Sequence, residues 1–203
     1  MAEPADLNRR ERRKLELHGR ILEVAAALFE GQGFHETKVA DICEQADIAH
    51  KTFFNHFPSK QDVLREIARE SMGVLLGQIE EAQKQPGDAI DRLRFFYQHA
   101  ADLAEQAGPM HREFLTEILH VSHEAAMPDD ARRLQGAFRA LLEGGVAPAI
   151  VQAHGLQALT ELVLGSYYAL MFNWAHLESY SFRERSMAQV KLLERALRSQ
   201  EKE

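Results

Sequence analysis

Apolar residues recur at three- and four-residue intervals along nearly the whole chain, which is the pattern of helices with one buried face. Leu17, Ile21, Val24, Ala25, Leu28 and Phe29 make the first such stripe. Alternation of the kind a strand shows is almost absent, and Pro and Gly fall mostly between periodic segments. The pattern predicts an all-α chain of nine helices. The first spans about 9–32 and ends at Gly31 and Gly33, since glycine accepts the left-handed cap. Thr37 offers an N-cap oxygen to a short second helix, about 38–45. After the turn Ala46-Asp47-Ile48, a third covers about 49–56, with Phe53 and Phe57 inward, and Pro58 stops it. Ser59-Lys60-Gln61-Asp62 resembles a capping box and opens a long fourth helix to about 84.

Beyond the linker Gln85-Pro86-Gly87-Asp88, Asp88 caps a fifth helix to about 107. Gly108-Pro109 separates it from a sixth, about 110–123. A seventh runs from Met127-Pro128-Asp129 to about 144 and continues irregularly past Pro148. The eighth, about 155–179, is the most apolar, and Ser181 caps a ninth over about 182–198.

Composition changes this picture only in part. The 203 residues are ordinary for a globular chain and numerous enough to bury a core. One cysteine, Cys43, excludes a disulfide framework and a multi-cysteine zinc site. No apolar run reaches the length of a membrane span, and the start lacks an apolar signal core, so a cytoplasmic protein is expected. The net charge of −7 argues against coating nucleic acid everywhere. Its distribution is uneven. The acidic surplus lies beyond residue 65, whereas Arg9, Arg10, Arg12, Arg13 and Lys14 stand against the single acid Glu11. Such a chain is suited to touch DNA at one end, although a solvated charge run on a helix gives the same feature.

Residues 38–56 read as two short helices joined by a three-residue turn, the helix-turn-helix arrangement whose second helix lies in the major groove. The outward residues of that second helix are His50, Lys51, Thr52, Asn55 and His56. All can donate hydrogen bonds and none is acidic, which suits phosphates and base edges. Two packed helices with a polar face remain the alternative from pattern alone.

The segment Thr37-Lys38-Val39-Ala40-Asp41-Ile42-Cys43-Glu44-Gln45-Ala46-Asp47-Ile48-Ala49-His50-Lys51-Thr52-Phe53-Phe54-Asn55-His56-Phe57-Pro58-Ser59-Lys60-Gln61-Asp62-Val63-Leu64 resembles the signature of the TetR-type (tetracycline-repressor-like) transcriptional regulators. The stretch 25–34, Ala-Ala-Ala-Leu-Phe-Glu-Gly-Gln-Gly-Phe, also fits. The resemblance implies an N-terminal DNA-binding domain over 9–65 behind an arm of residues 1–8, which is expected to be disordered. The fourth helix serves as connector, and residues 66–203 bind an effector and dimerise. By position, Thr37 and Lys38 would touch phosphate, and Ala49, His50, Lys51 and Thr52 would face the groove. Lys51 is the candidate for guanine O6/N7, and Thr52 for a thymine methyl or a phosphate. Asn55 and His56 would meet the backbone. Lys60 would set charge and free amides against a phosphate, and Arg9–Lys14 would lie near an adjacent groove. Two positions depart from the pattern. Asp47 replaces the usual turn glycine, which aspartate tolerates. Phe54 stands where a phosphate-donating tyrosine is common, and ring packing is its expected role.

The partners implied are a palindromic double-stranded operator, a second copy of the chain, and a small hydrophobic effector whose binding releases DNA. No cofactor, catalytic residue or metal is expected. Pocket candidates are Phe96, Tyr97, Leu103, Met110, Phe114, Ile118, Phe138, Leu142, Tyr168, Met171 and Phe172, for each of which ordinary core is the competing reading. The last two helices carry apolar residues in excess of one core face, notably Leu170, Trp174, Leu177, Val190, Leu193 and Leu197. These are the expected dimer interface of a four-helix bundle. Alternatives are a body that senses a metal, through His120 and His123 with Glu117 and Glu124 nearby, or one that acts without a ligand. An enzyme would need a nucleophile–base pair or a metal set, and the sequence offers neither.

Overall fold

A computed structural model describes residues 8–106, 112 and 128–198. Nine helices and no strand occur among the described residues: α1 (Arg9–Gln32), α2 (Val39–Gln45), α3 (His50–His56), α4 (Lys60–Gln83), α5 (Ala89–Gln106), α6 (Pro128–Leu142), α7 (Pro148–His154), α8 (Leu156–His176) and α9 (Phe182–Leu197). The expected sixth helix lies outside the described residues, except that Arg112 is helical.

The helix ends follow local chemistry. Asn8 caps α1 with its side-chain oxygen on the amides of Arg10 and Glu11, and the Glu11 carboxylate returns to the Asn8 amide. Asp88 does the same for α5, accepting from Ile90 and Asp91 at 2.8 and 3.0 Å while Asp91 accepts from the Asp88 amide. Ser59 caps α4 less conventionally. Its hydroxyl accepts from the Asp62 amide and donates to the Asp62 carboxylate at 2.6 Å, which holds that carboxyl below its usual range. One expectation changes between α6 and α7. Instead of an irregular extension of one helix, Gly144 turns at positive φ and Pro148 opens a separate helix, because its fixed φ suits a first turn.

Two apolar clusters form. The head packs Ile21, Leu22, Leu28 and Phe29 of α1 against Ile42, Phe53, Phe57 and, from α4, Val63, Leu64 and Ile67. The body packs Leu93, Phe96 and Tyr97 of α5 against Phe138, Leu142, Val163, Leu170, Trp174, Val190 and Leu193. Among the described residues only α4 contributes buried residues to both, with Ile79 and Ala82 in the body. There it packs on α5 and α6, and the Gln83 side chain donates to the Ala137 carbonyl. No helix among the described residues is long and apolar enough to cross a membrane.

Candidate nucleic-acid interface

α2 and α3 meet through a turn that depends on one backbone angle. Asp47 has φ 50°, in the left-handed region, so aspartate serves where glycine is usual. Its carbonyl-side neighbour Ile48 donates to Cys43, closing the turn at 2.9 Å. Cys43 itself is buried, and burial pushes its thiol up. Behind α3, Phe53 is fully buried and Phe57 nearly so. With those two rings anchored inward, helical geometry sends Lys51 and Asn55 to the opposite side. His50, Lys51, Phe54 and Asn55 are exposed, as is Ala49 just before the helix, and Thr52 and His56 are half-buried. The exposed basic residues Arg9, Arg10, Arg12, Arg13 and Lys14 occupy the first turns of α1 and belong to that helix.

Three expectations about this face need correction. Thr37 is buried and does not reach outward. Its hydroxyl donates to the Gly33 carbonyl at 2.7 Å and accepts from Gln32, and Lys38, not Thr37, caps α2. Lys38 stays exposed, its amide held by Asp41. Lys60 is spent on the protein's own backbone. Its ammonium donates to the carbonyls of Phe34 (2.5 Å), Thr37 (2.7 Å) and His35 (3.4 Å) and lies over the Phe34 ring. It positions the α1–α2 loop, and with it the start of the helix-turn-helix. His56 turns inward as well. Its Nδ1 is buried without a hydrogen-bond partner, and the ring lies 5.8 Å from that of His18, which stacks on Phe57 at 4.4 Å. Burial, with the positive charge of His18 and Lys14 added, lowers its pKa.

The body places its candidates in two groups. Phe96, Tyr97, Phe138 and Leu142 are fully buried, and the three aromatic rings among them pack on one another and on Tyr167. The Tyr97 hydroxyl meets Ser166 at 2.9 Å, and burial pushes it up to about 12. Met171 is half-buried, whereas Leu103, Tyr168 and Phe172 are exposed, so they do not share that enclosed setting. Met110, Phe114 and Ile118 lie outside the described residues, as do His120, His123, Glu117 and Glu124. Among the described residues no three His, Cys, Asp or Glu side chains converge as a metal set would.

The expected dimer residues also need correction. Leu170, Trp174, Val190, Leu193 and Leu197 are buried within the single chain, and only Leu177 of that set is exposed. Side chains already in one chain's core cannot form a face for another. The apolar residues that α8 and α9 leave outside are Leu162 (49% exposed), Tyr168, Phe172 (60%) and Leu192 (63%). Ala158, Gly165 and Ala169 continue the α8 row, and Ala188 and Ala196 flank Leu192 on α9.

Residues 21–67 match the family described as bacterial regulatory proteins, tetR family. This stretch contains the whole helix-turn-helix just described. Residues 21–67 carry a tetR-family helix-turn-helix segment. The chain is 30% identical over 73 residues to a fatty acid metabolism regulator protein of Bacillus subtilis, a match covering 36% of this chain and 38% of that one. The chain covers less than half the length of this and several other curated relatives. Solved structures extend the likeness to the whole fold. A TetR-family regulator from Pectobacterium atrosepticum superposes with a TM-score of 0.68 at 20% identity, over 94% of this chain and 96% of that one. Thermus thermophilus FadR, a TetR-family repressor in complex with lauroyl-CoA, gives 0.57 at 22%, over 91% and 97%. At these identities the likeness shows the fold.

Proposed function

We propose that the chain is a transcriptional repressor that binds a near-palindromic operator as a homodimer and is released by a small hydrophobic effector. One observation carries the DNA-binding part: α3 presents exposed His50, Lys51 and Asn55, with no acidic residue in the helix, over a rigid Phe53–Phe57 base. Lys51 is the residue for guanine, and Asn55 and Lys38 contact the backbone. Two copies joined through α8 and α9 present two such helices, so half-sites lie about 34–36 Å apart. The outward row of Leu162, Gly165, Ala169 and Phe172 is the face for that contact, since small residues between large ones let helices approach.

The effector we favour is a long-chain acyl thioester. Support comes from the apolar and aromatic interior of the body and from the lauroyl-CoA bound by the Thermus neighbour. The link to the head is α4, which has buried residues at both ends. The effector shifts operator affinity only as far as it prefers the released state.

Genomic fragments bound by the purified protein test the reading directly. One or a few near-palindromic sites should be enriched, and Lys51→Ala should weaken them about 10- to 100-fold, as loss of a base-edge contact does, while the melting curve stays put. Lauroyl-CoA should then release the enriched duplex, and coenzyme A alone should not. No enriched site, or a Lys51→Ala variant that binds as well as wild type, would overturn the reading.

A further inference from the structure

Phe54 breaks the character of the α3 surface. Among the described residues of the head it and Leu15 are the large apolar side chains left exposed, and Phe54 is 51% open to solvent. Leu15 sits among the charged first turns of α1. Phe54 sits instead on the outward side of α3, one turn after His50, three residues after Lys51 and next to Asn55. Its ring meets the buried Phe53 ring edge-on, with centroids 5.3 Å apart and planes at 86°. The neighbour is fully buried, so this contact holds the exposed ring in place, and docking it to a surface costs little further ordering.

An apolar ring on a face of hydrogen-bond donors calls for a partner with the same mixture. Major-groove base edges offer donors and acceptors throughout, with one apolar group, the C5-methyl of thymine. Phe54 follows Lys51 by three residues, about 4.5 Å along the helix axis, and base steps are about 3.4 Å apart. The ring therefore reaches a base pair one or two steps from the one read by Lys51. We infer that Phe54 is a specificity-determining residue that selects thymine in each half-site by apolar contact with its methyl group. This rests on the operator-binding reading above. The role differs from ring packing inside the head, because half of the side chain stays outside.

The test begins with an operator selected by the wild-type protein from random duplexes. Each thymine of the half-site is then replaced in turn by deoxyuridine, which removes the methyl and leaves every hydrogen bond. At one thymine position the wild type should lose about fourfold in affinity per half-site, the value of one buried carbon. Phe54→Ala should bind the thymine and deoxyuridine duplexes alike, with an unchanged melting curve, and Phe54→Leu should keep the preference. If no thymine is methyl-sensitive, or if Phe54→Ala loses as much as wild type, the inference is wrong although operator binding stands. If no duplex is enriched at all, both readings fall.

Discussion

The ammonium of Lys60 reaches back 26 residues to the Phe34 carbonyl and 23 to that of Thr37, beside a Thr37 hydroxyl that is itself turned to Gly33. Those carbonyls close the loop into α2. Lys60→Met leaves them without a donor, so the head should lose about 1–3 kcal/mol, read as a lowered urea midpoint with the slope unchanged. The sequence shows a lysine at a helix start on a basic face, and local pattern cannot show which way its long side chain folds. Thr37 carries the same ambiguity, since a threonine before a helix has the sequence of a cap, yet its hydroxyl donates to Gly33. His56 makes a second prediction at this scale. Its buried, unpartnered nitrogen lies near His18 and Lys14, so the folded head resists protonating it. The unfolded chain takes that proton near the ordinary 6.5, so it binds more protons than the folded one just below that pH. Stability is full above 6.5, falls as pH drops through it, and levels off below the lowered folded value. Melting points from about pH 8 to about pH 5 should show that decline, and His56→Gln should flatten it.

Along single elements the periodic pattern located eight of the nine described helices to within three residues at their ends, because apolar spacing and capping residues are local signals. At Pro148 the pattern is ambiguous, because a proline that interrupts one helix can also, by its fixed φ, begin the next, as it does here. α4 carries a feature the pattern could not weigh. Gly73 and Gly77 lie one turn apart in its interior, both exposed, and a Cβ added at either meets nothing within 4 Å. Packing among the described residues therefore does not require them. Glycine in a helix interior costs about 0.5–1 kcal/mol relative to alanine. Gly73→Ala combined with Gly77→Ala should accordingly raise the melting temperature by several degrees, checked by calorimetry.

Across the whole molecule, the head was the more legible part. Its motif is contiguous, and the exposed Lys51 and Asn55 follow from the inward Phe53. The body was harder because α8 is apolar on nearly every side, so hydrophobicity does not tell which row faces the core. Leu170 and Trp174 proved to be core, and Leu162 and Phe172 proved to be outside. The two sets should separate in experiment. Leu162→Glu with Phe172→Glu should turn the proposed dimer into a folded monomer by sedimentation, with helicity retained. Trp174→Ala should instead destabilise the body by about 3–5 kcal/mol.

The division of α4 has one more consequence. Val63, Leu64, Ile67 and Ala68 serve one cluster, Ile79 and Ala82 serve the other, and the exposed Arg69 and Glu70 lie between. A splice placed at Arg69–Glu70 removes no buried side chain from either cluster. A chimera joined there, in helical register, would carry a foreign head on this body, or this head on a foreign one, with both interiors whole. On the function proposed above, a fold cut this way would let the DNA address and the chemical signal change hands independently.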